Sequence, residues 1–115
     1  MNCSDVITGY LEAAGIKHIF GYPGDPSVEL LETARRNGIE FVLARREGTA
    51  GLMAAAYGQI TGKPGVCLST LGPGSSNLVN AVASAKLDRT PMIALSGQID
   101  AKREHTFTHQ VLDHN

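Results

Sequence analysis

The chain has 115 residues, of which 43% are hydrophobic and 18% charged, and its formal net charge is −1. This length fits one domain, and a near-neutral charge with scattered basic residues gives no electrostatic surface for nucleic acid. No apolar run approaches the roughly 20 residues that span a bilayer, and the N-terminus carries no recognisable secretory signal. We therefore expect a cytoplasmic protein without nucleic acid or membrane as a partner. Cys3 and Cys67 lack metal-site spacing and are expected to be free thiols.

The N-terminal segment has the apolar spacing of an amphipathic helix. We expect Ser4 to cap this helix and Gly15 to end it. The residues expected to form its apolar face are Val6, Ile7, Tyr10, Leu11 and Ala14.

A short strand at 18–20 then leads into a corner rich in glycine and proline. Asp25 is expected to cap the next helix, with Pro26 at its first position, and Asn37 and Gly38 are expected to end that helix.

Strands and helices continue to alternate up to residue 96. Strands are predicted at 39–44, 66–70 and 91–96, and helices at about 47–60 and 75–87. The helix at 47–60 is rich in glycine and alanine, which favours tight packing against a sheet or a partner. Alternating elements with continuous apolar strands predict a three-layer α/β/α fold with a mainly parallel sheet.

In an open parallel sheet, ligands bind beyond the carboxyl ends of the strands. Four segments of unusual composition follow the predicted strands, and their convergence is the main functional signal of the residues themselves. These segments are Tyr22 to Gly24, Glu47, Thr70 to Asn77, and Gly97 with Gln98.

Each of these motifs has a structural and a functional interpretation. GYPGD (21–25) fits an ordinary strand-to-helix turn as well as a ligand-binding loop. GPGSSN (72–77) precedes a helix whose free N–H groups accept anions, but it lacks the pattern of a Walker or dinucleotide loop. Glu47 either stabilises the helix start or is a carboxyl group in an apolar crevice that exchanges a proton with a ligand.

Two other kinds of site are not supported. His105 and His109 have i, i+4 spacing but lie in a segment without helical periodicity, so no metal ligands are predicted. The serines lack a nucleophile-elbow motif.

Together, these stretches resemble the amino-terminal domain of thiamine diphosphate-dependent enzymes, especially acetolactate (acetohydroxyacid) synthases. The matching stretches are HIFGYPGDP, the run 43–98 from LARREG to SGQ and, more loosely, THQVLD. They cover nearly the whole chain in the order found in the family.

The resemblance implies that this domain cradles the aminopyrimidine ring of thiamine diphosphate. Glu47 would hydrogen-bond a pyrimidine nitrogen and thereby promote proton loss from the thiazolium carbon, so that the cofactor can decarboxylate a 2-oxo acid and support carboligation. Magnesium would bind the diphosphate through a second domain that this chain lacks, and the parent enzyme could also use FAD. The resemblance places Tyr22, Pro23 and Gly24 on one wall of the site, Thr70, Pro73, Gly74 and Asn77 on the second wall, and Gln110 towards the substrate.

Four positions depart from the pattern usual in the synthases. Arg46 and Gly48 stand where histidine and glutamine are common, and His109 and Val111 stand where phenylalanine and glutamate are common. An arginine close to Glu47 would favour the ionised carboxylate. These departures leave the substrate open within the broader family.

The family's metal motif, Gly-Asp-Gly followed by asparagine, does not occur in these residues. The resemblance therefore implies that residues 1–115 are an N-terminal pyrimidine-binding domain, truncated at its C-terminal end and inactive alone. Its site would be shared with the diphosphate-binding domain of another subunit in a homodimer or higher oligomer, with the helices at 47–60 and 75–87 as the contact surface. Two alternatives are a split subunit that pairs with a separate diphosphate-binding chain and a generic α/β domain for another nucleotide.

Overall fold

A computed structural model describes residues 1–103 of the chain. The strands form one sheet in the order β2-β1-β3-β4, and all neighbouring strands are parallel. The strands are β1 (His18–Gly21), β2 (Glu40–Leu43), β3 (Gly65–Ser69) and β4 (Met92–Ser96), and the α-helices are α1 (Cys3–Ala13), α2 (Val28–Arg36), α3 (Glu47–Thr61) and α4 (Pro73–Leu87), with short 3₁₀ turns at Asp25–Ser27 and Ala101–Arg103.

Helices cover both faces of this sheet, so the predicted three-layer α/β/α fold is confirmed. Successive strand side chains point to opposite faces. Accordingly, Ile19 and Val66 pack in the core with α1 and α2, while Phe20 and Cys67 pack in the core with α3 and α4. Every residue of β3 is buried, whereas the edge strands β2 and β4 are only half-buried. Among residues 1–103, no helix is long and apolar enough to cross a membrane.

The start and the buried face of α1 differ from the prediction. The N-cap is Asn2, not Ser4, because the Asn2 side chain accepts a hydrogen bond from the Asp5 N–H (2.9 Å) and the Asp5 carboxylate accepts one from the Asn2 N–H (2.8 Å). Such reciprocal capping satisfies backbone donors that a helix start leaves free.

Val6, Ile7 and Tyr10 are exposed, so most of the predicted apolar face was wrong. Leu11 is buried, as predicted, together with Thr8. Thr8 is buried because it contacts the end of α2: the Asn37 side-chain amide donates to its hydroxyl (3.0 Å).

The start of α2 also differs from the prediction. Asp25 begins a 3₁₀ turn and makes no capping hydrogen bond through its side chain. Instead, the Ser27 hydroxyl accepts from the Gly24 N–H (3.0 Å) and donates to the Gly24 carbonyl (2.7 Å). This side chain satisfies the backbone of the corner, which leaves the carboxylate of Asp25 exposed. The predicted end of α2 is confirmed, with Asn37 as C-cap and Gly38 at a φ of 71°.

The small residues of α3 pack inside this chain. A Cβ atom on Gly51 would overlap Ala81 of α4, and one on Gly58 would overlap the carbonyl oxygen of Pro91. Close approach of this kind needs residues without a side chain. The sequence allowed packing against a sheet or against a partner. These glycines pack against α4 and the edge of the sheet within this chain.

The two cysteines are free, as predicted, and differ in exposure. Burial raises the pKa of the Cys67 thiol to about 11, while Cys3 is exposed in the first turn of α1. Because the thiolate is the nucleophile, we expect iodoacetamide at a pH of about 8 to alkylate Cys3 and spare Cys67 in the folded chain, as measured by mass spectrometry. In urea both should react. Equal alkylation of the two thiols in the folded chain would contradict this burial.

Candidate functional site

The candidate site lies where the sheet reverses its strand order. From β1 the chain adds β2 on one side and β3 on the other, which creates a topological switch point at the carboxyl ends of β1 and β3. The corner from Tyr22 to Gly24 follows β1, and Thr70 follows β3. Open parallel sheets bind their ligands at this position.

The two glycine-containing corners meet on the side chain of Thr70. A Cβ atom on Gly24 would lie 2.7 Å from the Thr70 Cβ, and one on Gly74 would lie 2.7 Å from the Thr70 Cγ2. Both distances are too short for a real side chain, so packing alone requires glycine at these positions. The corners after β1 and β3 thus form one continuous surface.

Glu47 lies against this surface. It is the first residue of α3 and its exposed fraction is 8%. Its Oε1 is 3.3 Å from the point where a Cβ atom on Gly74 would stand, so the carboxyl group faces the start of α4. Both interpretations of Glu47 from the sequence therefore fit the structure. A carboxylate stabilises a helix start, and this helix start is buried beside the two corners, where a ligand could reach the carboxyl group.

Asn77 is the residue that contacts Glu47 directly. Its side-chain amide nitrogen, Nδ2, donates a hydrogen bond to Oε2 of Glu47 (3.2 Å). Among the hydrogen bonds of residues 1–103, none reaches Oε1 of Glu47, which leaves that oxygen available to a ligand.

Ser75 fixes the start of α4 to the ends of two strands. Its hydroxyl donates to the Thr70 carbonyl (3.0 Å) and contacts the hydroxyl of Ser96 at the end of β4. No sequence pattern predicted that Ser75 positions the site. Its place at the third position of α4 offered no sign of a partner 21 residues away.

The remaining predicted site residues lie at the edge of this surface or beyond the described part of the chain. Tyr22, Pro23 and Pro73 are exposed, and the Tyr22 N–H extends the ladder to β3 through the Leu68 carbonyl (3.4 Å). Gln110 lies outside the described residues, as do His105 and His109.

Arg46 does not pair with the neighbouring Glu47. Its side chain is exposed, and neither of the two salt bridges in the described residues includes it. Arg46 instead lines a polar groove of about 250 Å³ between α3 and α4, together with Thr49, Asn77 and Asn80. A direct ion pair that would hold Glu47 ionised is therefore not formed.

A second cavity, of about 230 Å³, is lined by Thr70 and by residues at the ends of β3 and β4. Gly97, which the sequence singled out, lines this cavity with Ser27 and Ser96. In the part of the chain that the structure describes, no group of three histidine, cysteine or acidic side chains is placed to hold a metal ion.

Comparisons with known proteins point to one family. The model of the thiamine pyrophosphate enzyme N-terminal TPP-binding domain matches residues 1–115; thiamine pyrophosphate (TPP) is another name for thiamine diphosphate.

Among curated proteins, the acetolactate synthase isozyme 2 large subunit of Escherichia coli is 37% identical over 113 residues, which are 98% of this chain and 21% of that protein. An acetolactate synthase of Bacillus subtilis is 37% identical over 96% of this chain and 19% of its own length. A putative thiamine pyrophosphate-containing protein of Bacillus subtilis is 43% identical over 83% of this chain and 17% of its own length.

This chain thus spans about a fifth of the length of the curated relatives it matches. The family match over residues 1–115 agrees with a parallel sheet that carries a buried acid at its switch point. The chain belongs to the thiamine pyrophosphate enzyme family, as an N-terminal TPP-binding domain of the acetolactate synthase-like type.

Proposed function

We propose that this domain binds the pyrimidine half of thiamine diphosphate in an enzyme that decarboxylates a 2-oxo acid and transfers the remaining fragment, as a transferase of the acetolactate synthase type. The observation that carries the proposal is the carboxyl group of Glu47. It is buried at the switch point of the sheet and has one oxygen that no described residue hydrogen-bonds.

The residues present fit an aminopyrimidine ring. The ring is flat and needs a close approach, and the two glycines let the corners after β1 and β3 close around the side chain of Thr70, so that Thr70 and Glu47 are the side chains a ring would meet there. A ring nitrogen needs a hydrogen-bond partner, and Oε1 of Glu47 faces this surface. Thr70 lies between the glycines, and Tyr22, Pro23 and Pro73 lie at the exposed edge, where they would enclose the ring.

Thiamine diphosphate supplies the electron sink that 2-oxo acid decarboxylation requires. The task of this domain is to orient the ring and to hold a proton. Glu47 would hold that proton at Oε1 and share it with a ring nitrogen, as a positioned acid does in general acid–base catalysis. A ring bound against this surface would cover Oε1 and keep bulk water from competing for the same hydrogen bond.

The diphosphate and magnesium would be held by a second domain, supplied by a partner subunit in a homodimer or a higher oligomer. Support for a contact surface on α3 and α4 comes from their exposed apolar side chains. Leu52 and Val79 are more than half exposed, and Ile60 and Leu87 are each 84% exposed. Apolar surface of this kind is typical of subunit contacts. The substrate would be a 2-oxo acid and the location the cytoplasm, and FAD could be a further cofactor of the whole enzyme.

The experiment that tests this proposal uses the full-length parent protein with pyruvate, with and without thiamine diphosphate and magnesium. We expect turnover of pyruvate only with both additions, and binding of thiamine diphosphate by calorimetry. Tight binding of another nucleotide, together with no binding of thiamine diphosphate, would favour the generic α/β alternative and overturn the proposal.

A further inference from the structure

We infer that Asn77 is a positioning residue that decides which oxygen of Glu47 carries the proton. The inference rests on the proposed function, and it goes beyond the expectation that Asn77 lines the cofactor site. It is carried by one contact: Nδ2 of Asn77 donates to Oε2 of Glu47 (3.2 Å), while Oε1 faces Gly74.

The chemistry of the two groups makes their arrangement directional. The amide NH₂ can only donate, and a protonated carboxyl group has one carbonyl oxygen that accepts and one hydroxyl that donates. An NH₂ group on Oε2 therefore favours Oε2 as the carbonyl oxygen and places the proton on Oε1. Oε1 is the oxygen on the side of the proposed pyrimidine surface.

The packing of α3 against α4 holds this pair together. A Cβ atom on Gly48 would lie 3.2 Å from the backbone oxygen of Asn77, so glycine at position 48 lets the start of α3 approach α4. Leu78, next to Asn77, is buried with an exposed fraction of 3%. This packing holds the backbone of α4 at Asn77, whose side chain is exposed, within reach of Glu47.

Few other charges act on this pair. No residue from 70 to 81 carries a charge, so the first two turns of α4 contribute none; Lys86 lies in the last turn of α4. Arg46 shares the polar groove with Asn77, and Asp25 and Tyr22 are exposed at the corner after β1. A change in cofactor affinity can therefore be attributed to residue 77 when these groups are left intact.

The test replaces Asn77 with aspartate in the full-length parent. The two side chains have nearly the same shape, but an ionised carboxylate at position 77 can only accept and so cannot donate to Glu47. In the N77D variant, the carboxylate at position 77 can contact Glu47 only by accepting a hydrogen bond from it, which draws the proton of Glu47 to Oε2. Loss of a hydrogen bond to a charged or acidic group weakens an interaction by roughly 10-fold to 100-fold, and we expect this loss in the affinity for thiamine diphosphate, measured by calorimetry at a pH of about 8.

The expected loss should shrink as the pH is lowered, because a second proton on the pair lets residue 77 donate to Oε2 again. Asn80→Asp is the matched control, since Asn80 lines the same groove, the substitution adds the same charge, and Asn80 makes no hydrogen bond to Glu47 among the described residues. N80D should bind the cofactor like the wild type at every pH. Asn77→Ala, which removes the donor without adding a charge, should lose affinity at every pH.

Wild-type affinity in either N77D or N77A would overturn the inference, as would a loss in N77D that does not change with pH. Unfolding curves of the cofactor-free variants distinguish a loss of cofactor affinity from a failure to fold. If N77D does not fold, the affinity of N77A tests the role of Asn77. Normal turnover in a Glu47→Gln variant would instead contradict the proposed function itself. A damaged Glu47→Gln variant beside an unaffected N77D would remove only the role of Asn77.

Discussion

Replacement of Glu47 by glutamine in the full-length parent is expected to lower turnover of pyruvate by about 10²-fold to 10⁴-fold, the usual contribution of a positioned acid or base. Glutamine keeps the length of the side chain and an oxygen that can accept from Asn77. At the position of Oε1 it places an amide NH₂ group, which can donate a hydrogen bond but cannot give up its proton to a ring nitrogen. The fold and the contact with α4 should therefore persist while the proposed chemistry is lost.

Steady-state turnover, with thiamine diphosphate and magnesium saturating, is the measurement. Glu12→Gln is the matched control, because Glu12 is an exposed residue of α1 and the substitution removes the same charge far from the switch point. The control should retain wild-type turnover. Near-normal turnover in Glu47→Gln would show that the buried carboxyl group serves only the start of α3.

Replacement of Gly65 by alanine is expected to cost about 3 kcal/mol or more of the free energy of unfolding, the upper part of the range for overpacking. A Cβ atom at this position would overlap the carbonyl oxygen of Ala54 and lie 2.5 Å from its carbonyl carbon. These are backbone atoms of α3, so no side-chain rotation can relieve the overlap. Because whole domains are stable by only about 5–15 kcal/mol, such a loss is a large fraction of the total.

Urea unfolding followed by circular dichroism measures this effect, and Gly9→Ala is the matched control. Gly9 lies inside α1, and a Cβ atom there would meet no other atom within 4 Å. Alanine in a helix interior is favoured over glycine by roughly 0.5–1 kcal/mol, so the control should be slightly more stable than the wild type. If Gly65→Ala unfolded at the wild-type urea concentration, the close contact of β3 with α3 would not exist.

The position of the candidate site could be predicted from the sequence because its parts follow strands. Parallel strands bring their carboxyl ends to one edge, and the structure places Gly24, Glu47, Thr70 and Gly74 there in contact. Their roles towards a cofactor stay predictions. Gln110 lies beyond the described residues, so its expected position towards the substrate also stays a prediction.

Local sequence patterns were sufficient to predict the order of the elements, the parallel sheet and the junction of a strand with a helix that begins with an acidic residue. These features could be predicted because backbone periodicity and glycine or proline corners act within a few residues. Family membership also followed from motif order over nearly the whole chain.

The contacts between side chains of different elements depend on tertiary packing and could not be predicted in this way. The burial of Thr8 depends on Asn37, 29 residues away, and the orientation of Glu47 depends on Asn77, 30 residues away. Apolar periodicity reports how a helix would face a core but not which polar groups its neighbours present. These contacts arise because helices that are distant in the chain are packed side by side on one sheet, and that packing sets both the stability of the fold and the direction of the carboxyl group in the site.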